Sequence, residues 1–561
     1  MRKSLFLSFF TLAAIALAQN SAKVATHSPV AAPRPSSAAF AAMETINPER
    51  IRAHVRFLSH DLLEGRGTGQ RGGDIAAEYI ATQYAVYGLK PAGDNGSYMQ
   101  KVPMVGITPM PETTFSLVPA KGSPVALKVL DDYVAYDQTQ QPQSDIEAPI
   151  VYVGYGIHAP EYNWDDYKDA DLKGKVLLML VNEPPSDDVK FFKAKALTYY
   201  GRWTYKYEEA ARRGAVGVLL IHQTDMASYP WDVVRNSNSG EKSYLKLDST
   251  PKLKAAAWIQ LEVAEKLARS SGLNLGKLMT DAQSRAFKPV PLTAKLQAHI
   301  VSKIRPFESN NVIGLLPGGD AKLKSEAVLF TAHYDHLGIR PEMSGDNIYN
   351  GANDNATGCG VLLEVARAFS ESREKPRRSI IFASVTAEEQ GLLGSEYLGK
   401  HPPFPAAKIA LDLNYDDLPP LGSPEEVEVS GAERTTFYRT VEATAKDFRL
   451  AIRPDAHPEA GHFYRSDHFS LARVGIPAFS VNEGVKYKGH DEAWGLKQDE
   501  EYNQKHYHQP SDEYLPSMDF TGDATMARFG FVLGWQAASL PQVVGWEKGD
   551  EFEAARLKAA E

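Results

Sequence analysis

The sequence predicts an α/β fold in which a mixed, mainly parallel sheet is sandwiched by helices. Between about residues 308 and 480, apolar runs such as EAVLFTAHYD and RRSIIFASVTAEE alternate with helical patterns such as TGCGVLLEVARAFSES and GLLGSEYLGK. Strands that alternate with helices are typical of parallel sheets, because each crossover returns the chain to the same end of the sheet. At 561 residues the chain is also too long for one ordinary core, so two or more domains are expected.

The N-terminal segment has the layout of a cleaved export signal. Arg2 and Lys3 precede an uncharged apolar run from Ser4 to Ala18. This run is shorter than the roughly 20 residues that a membrane-spanning helix needs, so we expect removal rather than anchoring. No later stretch is long and apolar enough to span a bilayer. The sequence therefore predicts a protein without stable membrane insertion, in the periplasm or outside the cell.

The rest of the chain divides by composition. Ala-, Pro- and Ser-rich sequence after the signal predicts a mobile linker, and two helices are expected beyond it. A later stretch with strand patterns such as APIVYVGYGI and GKVLLMLV gathers no metal-like set of His and carboxylate residues, which favours an inserted, smaller, β-rich domain. The predicted bounds are 1–18 for the signal peptide, 19–43 for the linker, 44–135 for the first part of the main domain, 136–275 for the insertion, 276–545 for the rest of the main domain and 546–561 for a C-terminal tail.

Charge and cysteine content exclude several functions. The formal net charge is −9, and removal of the signal makes it more negative, which argues against nucleic acid or acidic lipid as a partner. Cys359 is the only cysteine, so neither an intramolecular disulfide nor a cysteine-based zinc framework can form. Any metal must therefore be bound by His, Asp and Glu.

Acidic and imidazole residues follow the predicted strands at the point where each strand ends. Because ligand crevices in such sheets form outside the carboxyl ends of the strands, these residues should converge at one edge. Each signal alone is weak, since such residues are commonly solvated or serve in turns and helix caps. Their joint placement indicates a site. The residues are His333 and Asp335 after the first strand, Glu388 and Glu389 after the second, Asp416 after the third, and Asp354 in the loop NGANDNATG.

These residue types suit a centre of two divalent ions. Two zinc ions about 3.5 to 4 Å apart need nitrogen and oxygen ligands, a carboxylate that bridges them and an open position for water. A further carboxylate, held off the ions, must take a proton from that water and pass it to the leaving amine. Glu388 and Glu389 could divide these duties. Co²⁺ or Mn²⁺ could occupy the same ligands.

The sequence closely resembles the secreted co-catalytic dizinc aminopeptidase family, which contains bacterial leucyl aminopeptidases, aminopeptidase Y and glutamate carboxypeptidase. The resemblance covers about residues 45–545 and is carried, in family order, by AHYDH, GANDNATG, TAEEQGLLGSEY, LNYD, RSDHF and YHQPSDE. The inserted stretch resembles the protease-associated domain found in many members. The resemblance implies a zinc-exopeptidase-like fold, two Zn²⁺ ions, and peptide or protein N-termini as substrate.

The resemblance also implies a role for each matching residue. Each of the two zinc sites would contain nitrogen and oxygen donors, and the two sites would share one aspartate. Supporting groups would lie around them. The implied roles are Asp354 as bridging ligand, His333 and Asp416 as ligands of one zinc, Glu389 and His508 as ligands of the other, Glu388 as general base, Asp335 as the carboxylate that orients His333, Tyr507 as the phenol that stabilises the oxyanion, and Arg465 and His468 as substrate-side or supporting residues.

Two of these assignments have alternatives. Asp412 and Asp416 both lie in ALDLNYDD, and only Asp416 fits the family pattern Asn-hydrophobic-Asp. His468 could itself be a ligand, although the family places its last zinc histidine in the later Tyr-His motif. The other histidines are expected to be surface or loop residues, among them His457, His462, His490 and His506.

The resemblance favours release of N-terminal amino acids over two rival functions. One rival is a carboxypeptidase or another amidohydrolase on the same scaffold. The other is a non-catalytic binding protein, as in relatives that resemble the transferrin receptor and have lost their ligands. Since every expected ligand type is present here, catalysis is the prediction. The insertion is expected to limit access of long substrates, and the oligomeric state is not predicted.

Overall fold

The computed structural model describes residues 33–561 apart from Ser228, Ser239 and Glu342. The predicted signal peptide and residues 19–32 of the predicted linker lie outside the described residues. The described helices are α1 Ser37–Met43, α2 Pro48–Leu58, α3 Arg71–Val86, α4 Trp203–Arg212, α5 Thr224–Ala227, α6 Trp231–Ser237, α7 Leu261–Ser270, α8 Leu275–Asp281, α9 Gly358–Glu371, α10 Leu393–Lys400, α11 Tyr438–Phe448, α12 His468–Arg473, α13 Glu492–Lys505, α14 Thr521–Ser539 and α15 Glu553–Ala560.

The strands between these helices build one large sheet and three small ones. The described strands are β1 Lys90–Pro91, β2 Met99–Pro109, β3 Thr114–Val118, β4 Val125–Ala126, β5 Tyr133–Tyr136, β6 Gln143–Tyr152, β7 His158–Ala159, β8 Trp164–Asp165, β9 Val176–Leu180, β10 Gly217–His222, β11 Lys242–Leu245, β12 Ala255–Gln260, β13 Val290–Leu316, β14 Ala327–His333, β15 Gly338–Ile339, β16 Ile348–Tyr349, β17 Ser379–Val385, β18 Ile409–Asn414, β19 Glu426–Glu428, β20 Ala451–Arg453, β21 Ala478–Ser480 and β22 Asn482–Glu483.

Four parallel strands form the part of the sheet that carries the predicted strand-end residues. Strand β14 lies between β17 and β18, and β21 pairs with the far side of β18. Every residue of β14, β17 and β18 is buried, which is why their sequences are mainly apolar. The predicted class, a mixed, mainly parallel sheet with helices, is confirmed.

Alternate residues of β14 enter two separate cores on opposite faces of the sheet. Val328 and Phe330 pack into a core that includes residues of α9 and α14. Ala327 and Leu329 pack into a core that includes residues of α10 and α12. In the first core, the rings of Phe330 and Phe382 stack with their centroids 5.5 Å apart. The sheet is therefore held from both sides, and its strand ends form a rigid edge.

Strand β13 runs without a break from Val290 to Leu316 and pairs with two groups of strands. Its C-terminal half pairs with β2 and β17, and its N-terminal half pairs with β3 and β6. Beyond β6, strands β9, β10 and β12 continue in parallel, and β5 closes this half of the sheet. This half has hydrophobic cores of its own and includes strands outside 136–275. The bounds of the inserted domain stay a prediction.

The end of the predicted linker is a helix rather than a mobile tether. Helix α1 begins after Ser36, whose hydroxyl accepts a hydrogen bond from the Ala39 amide at 3.2 Å. Ala39 and Ala42 are buried in the core beneath α9. Small side chains allow this close packing, and the same small residues made the segment look featureless in sequence. The linker prediction is therefore wrong for this part.

The predicted C-terminal tail also packs against the folded chain. Trp546 and Phe552 are buried and share a core with Phe463 and Phe469. Helix α15 follows, and Arg556 donates to the Ala406 carbonyl at 2.7 Å. Within the described residues, no helix has the length and apolar character needed to cross a membrane.

The packing of α1 predicts a specific destabilisation. We expect Ala39→Asp to lower the free energy of unfolding by about 3 kcal/mol, because a carboxylate would enter a core position that is 0% exposed. Ala41→Asp is the matched control, since Ala41 is exposed on the other side of the same helix. Chemical denaturation of both variants measures the difference. Equal stability of the two variants would mean that α1 does not dock in solution.

Candidate metal centre

The predicted residues meet at one edge of the parallel sheet. His333 is the last residue of β14, Glu388 and Glu389 follow the end of β17, and Asp416 follows the end of β18. Because the three strands are parallel and adjacent, their carboxyl ends project these side chains into one crevice. Asp354 reaches the same place from the turn that precedes α9, and the peptide bond after it is cis.

A first set of donors contains His333, Asp354 and Asp416. The Nε2 atom of His333 lies 3.0 Å from Oδ1 of Asp416 and 3.3 Å from Oδ1 of Asp354. One donor atom from each residue lies within 4.8 Å of the other two. His333 is buried, so this set forms the inner wall of the crevice.

A second set of donors faces the other oxygen of Asp354. Nε2 of His508 lies 3.2 Å from Oδ2 of Asp354 and 3.1 Å from Oε2 of Glu389. His336 approaches the same carboxylates, with Nδ1 2.6 Å from Oε1 of Glu389 and 3.9 Å from Oδ2 of Asp354. Asp354 therefore stands between two groups of nitrogen and oxygen donors, as a bridging carboxylate would.

The pKa of each of these groups depends on the charges of its neighbours. Burial alone would lower the pKa of His333, but the carboxylates of Asp416, Asp335 and Asp354 raise it well above its ordinary value. Burial opposes ionisation of Asp354, yet the three surrounding imidazoles hold the pKa of its carboxyl well below its ordinary value. Burial raises the pKa of Glu388 well above its ordinary value, and the nearby carboxylates add to this. The crevice thus stabilises positive charge.

The donor set fits zinc. Imidazole nitrogen and carboxylate oxygen are ligands that Zn²⁺ accepts, and a crevice that favours positive charge favours a divalent cation. His333, Asp354 and Asp416 could hold one ion. Asp354 and Glu389 could hold another with a histidine on the second side.

Asp335 supports the centre through different atoms from those expected. Nδ1 of His333 lies 3.2 Å from the backbone carbonyl of Asp335 and 3.7 Å from its carboxylate. The carboxylate instead accepts hydrogen bonds from the Thr68 hydroxyl at 2.9 Å and from the Glu388 amide at 3.1 Å. The backbone carbonyl therefore orients His333, while the carboxylate fixes the loop that carries Glu388.

The alternative ligand Asp412 lies outside the donor sets. Its carboxylate accepts a hydrogen bond from the Thr331 hydroxyl at 3.1 Å, and burial raises its pKa well above the ordinary value. The hydroxyl of Ser466 donates a hydrogen bond to the carboxylate of Asp416. The same hydroxyl accepts a hydrogen bond from the side-chain amide of Asn414 at 2.7 Å. The geometry therefore favours Asp416, as the sequence pattern did.

The other predicted residues lie around the centre at different depths. Tyr507 is 41% exposed, and its ring stacks on the ring of His508 at 4.0 Å. Arg465 is half-buried, and its Nε donates to the Ala460 carbonyl at 3.0 Å. His468 is only 2% exposed and packs against Phe463 at 4.8 Å between ring centroids. Its burial gives no support to direct contact with substrate, and none of the metal-like groups in the described residues includes it.

Three supporting residues were missed in the sequence. His336 is the second histidine of AHYDH, so its proximity to His333 in the motif was the available signal. Asp512, in YHQPSDE, accepts hydrogen bonds from the amides of Asn353 at 2.9 Å and Asp354 at 3.1 Å. Arg66 is fully buried and donates to the carbonyls of Leu58, Tyr334, Asn350 and Gly351. No local pattern indicates the role of Arg66, since its partners are distant in sequence.

The fold and the donor set together define a class, that of zinc metallopeptidases. The family comparison makes the assignment more specific, because residues 311–528 match the model of Peptidase family M28. This segment contains every predicted and observed donor of the two sets. The site-bearing part of the chain is therefore similar to that family.

Several known proteins are similar to parts of this chain. Leupeptin-inactivating enzyme 1 of Streptomyces exfoliatus is 31% identical over 178 residues, which cover 32% of this chain and 36% of that protein. A probable zinc metalloprotease of Pyrenophora tritici-repentis is 29% identical over 147 residues, 26% of each chain. The chain thus matches about a third or less of the length of these curated relatives. Among solved structures, an aminopeptidase from Aneurinibacillus sp. strain AM-1 is 19% identical with a TM-score of 0.49, over 91% of this chain and 98% of that chain.

The contrast between the two aspartates of ALDLNYDD predicts a difference in metal content. We expect Asp416→Asn to lose at least one zinc ion per chain, because it removes an anionic donor beside His333. Asp412→Asn is the matched control, since its carboxylate bonds only to Thr331 in the buried core. Elemental analysis after dialysis against a weak chelator measures both. Loss of zinc from the Asp412 variant alone would reverse the assignment.

Proposed function

We propose that this protein is an exported, two-zinc aminopeptidase that hydrolyses the first peptide bond of a peptide or protein. The observation that carries the proposal is the position of Asp354, whose two oxygens face separate sets of His and carboxylate donors. A shared carboxylate of this kind suits a pair of zinc ions. His333 and Asp416 complete one site, and Glu389 and His508 complete the other.

Two zinc ions bound in this way would polarise the scissile carbonyl and lower the pKa of a water molecule to roughly 7. Glu388 is suited to the proton transfer because it neighbours Glu389 in the chain but belongs to neither donor set among the described residues. Its backbone is fixed by Asp335. Divalent cations bound beside Glu388 would lower its raised pKa. The resulting carboxylate would take the proton from water and deliver it to the leaving amine.

The phenol of Tyr507 lies close to the carboxylates of the second donor set, where it could contact a substrate. Its ring is held against His508, so the hydroxyl is positioned by a residue of the second donor set. A phenol at this place can donate a hydrogen bond to the oxygen that becomes negative when the carbonyl is attacked. Burial and the nearby carboxylates of Asp354 and Glu389 raise the pKa of the phenol well above its ordinary value, so it keeps the proton that it would donate.

Export, substrate direction and the inserted domain are parts of the proposal that rest on the sequence. The N-terminal layout supports export to the periplasm or beyond. The motif resemblance supports release of N-terminal amino acids over the carboxypeptidase and amidohydrolase alternatives. The resemblance to protease-associated domains supports the inserted module, which would restrict long substrates. Zinc is proposed as the native metal, with Co²⁺ or Mn²⁺ as possible substitutes.

Peptides with one blocked end test the proposed activity. We expect cleavage of a peptide with a free amino end and a blocked carboxyl end, and none of the N-acetylated peptide. Removal of metal should abolish cleavage, and added zinc should restore it. Glu388→Gln should lower kcat by about 10² to 10⁴ with unchanged metal content, because only proton transfer is impaired.

Glu396→Gln is the matched control, since Glu396 pairs with Lys400 on α10 at 2.8 Å and lies in neither donor set. Its kcat should equal that of the parent. Release of the C-terminal residue from the N-acetylated peptide would reject the aminopeptidase claim in favour of its rival. Full activity of the Glu388 variant would reject the general-base role.

The position of His336 yields a prediction about metal affinity. Its Nδ1 contacts Glu389 and faces the second donor set, so it either binds the ion or holds the carboxylate that does. In both arrangements, His336→Ala should weaken binding of one zinc ion by about 10- to 100-fold and leave the other unchanged. Competition with a fluorescent chelator measures the two dissociation constants.

His462→Ala serves as the control because its partly exposed ring pairs with Asp455 at 3.2 Å instead. Identical zinc affinities in the His336 variant and the parent would show that this histidine does not contribute to metal binding.

A further inference from the structure

A cavity of about 210 Å³ lies beside strand β12, in the half of the sheet away from the metal donors. Helix α4 contributes Trp203 and Tyr207, which are four positions apart and therefore share one face of the helix. Strand β11 contributes Lys242 and Tyr244, which are two positions apart and share one face of the strand. The cavity is thus formed where the faces of several elements meet.

A small side chain leaves part of this space open. Strand β12 pairs with β5, so that Ala256 lies opposite Tyr136 and Trp258 lies opposite Val134. All four residues line the cavity. Because Ala256 carries a single methyl group among bulkier neighbours, the wall recedes at this position.

Aromatic rings form a large part of the wall. The ring centroids of Trp203 and Tyr207 lie 5.7 Å apart, and those of Tyr136 and Tyr244 lie 6.4 Å apart. Rings at such spacings can make edge or offset contacts with a further ring. The aromatic residues of the wall are Tyr136, Trp203, Tyr207, Tyr229, Tyr244 and Trp258. The cavity therefore suits a planar, apolar group.

Lys242 is the one charged residue in the wall among the described residues. Its Nζ atom lies 5.3 Å from the centroid of the Trp203 ring, which attracts the charge without neutralising it. Burial lowers the pKa of Lys242 to about 8, and no acidic side chain of the described residues raises it. The ammonium group is therefore charged at neutral pH, and an unpaired charge is costly to remove from water.

The acidic residues that are closest in sequence have other partners. Glu241 directly precedes Lys242, but its carboxylate pairs with Arg305 at 2.6 Å. Asp232 on α6 pairs with Arg235 at 2.9 Å. An anion from outside the chain would supply the counter-charge that these carboxylates do not give to Lys242.

The size of the cavity restricts what could enter it. A cavity of about 150 Å³ with apolar walls accepts benzene, so this cavity has room for a ring with a short side chain. It is small for a peptide. Val233 in its wall is 44% exposed, which indicates access from the surface beside α6.

We propose that this cavity binds a small aromatic carboxylic acid without an amino group, with the ring between the aromatic side chains and the carboxylate on the Lys242 ammonium group. Apolar walls with one placed charge are typical of small-molecule sites. An amino group on the ligand would add a second positive charge, and the described wall contains no carboxylate to bind it. The inference is independent of the proposed peptidase activity, because binding is measured without turnover.

Three compounds with the same carbon skeleton test the ligand class. They are 3-phenylpropanoate, its neutral amide 3-phenylpropanamide, and phenylalanine, which adds an amino group. We expect the purified full chain at pH 7 to bind the acid about 10- to 100-fold more tightly than the amide, because only the acid gains a charge-assisted hydrogen bond. Phenylalanine should also bind more weakly than the acid. Isothermal titration calorimetry measures the three dissociation constants.

Variants locate the binding site. Lys242→Met keeps most of the side-chain volume, so it should weaken binding of the acid to the level of the amide, whereas Lys242→Arg should retain part of the preference. Lys246→Met is the matched control, since Lys246 is exposed just beyond the same strand. Ala256→Leu should fill the cavity and weaken binding of acid and amide alike. Circular dichroism shows whether each variant is folded.

Two results would overturn the inference. The first needs no variant, namely that the parent fails to bind 3-phenylpropanoate or binds it no better than the amide and phenylalanine. The second is an unchanged preference for the acid in folded Lys242→Met, which would place the bound acid elsewhere on the protein. Neither result bears on peptide cleavage, which the blocked peptides test separately.

Discussion

Crowding of like charge at one edge of the sheet is the constraint on which the rest of the structure depends. Asp354, Asp416 and Glu389 place oxygen atoms in two donor sets, and within each set the donor atoms lie within 4.8 Å of one another. At 4 Å, two unit charges repel each other by about 4 kcal/mol even with an effective dielectric constant of 20. Positive charge must therefore enter the crevice. Histidines with raised pKa values and divalent cations both supply it.

The side chain of Arg66 also supplies positive charge near this acidic edge. Arg66 is buried, and four backbone carbonyls accept its hydrogen bonds. Two of them, from Asn350 and Gly351, belong to the loop that leads into Asp354. Burial lowers the pKa of Arg66, but the carboxylates around it, including Asp354 and Asp512, favour its charged form. One side chain thus orders the metal-binding loop and offsets part of its negative charge.

The sequence was most informative where function depends on strand ends. The apolar runs before His333, Glu388 and Asp416 predicted parallel strands, and parallel strands must bring their carboxyl ends together. The choice of Asp416 over Asp412 followed from a motif and agrees with the hydrogen bond of Asp412 to a core threonine.

The sequence was least informative about contacts between distant segments. Arg66 lies in a glycine-rich stretch, and its partners Tyr334 and Gly351 are more than 260 positions away. Helix α1 was missed because alanine and serine carry little periodic signal, although its packing buries Ala39 completely. His336 was overlooked because a strand end was expected to supply one histidine, while the loop after β14 turns the second one back towards Glu389.

The long strand β13 joins the two halves of the large sheet rigidly. It pairs with β2 and β17 near the metal centre and with β3 and β6 in the other half of the sheet. A hinge between the two halves would have to break this continuous ladder of hydrogen bonds, and each bond left unmade in a buried strand is costly. The half of the sheet that contains β6 is therefore held at a fixed position relative to the strand ends that carry the metal donors.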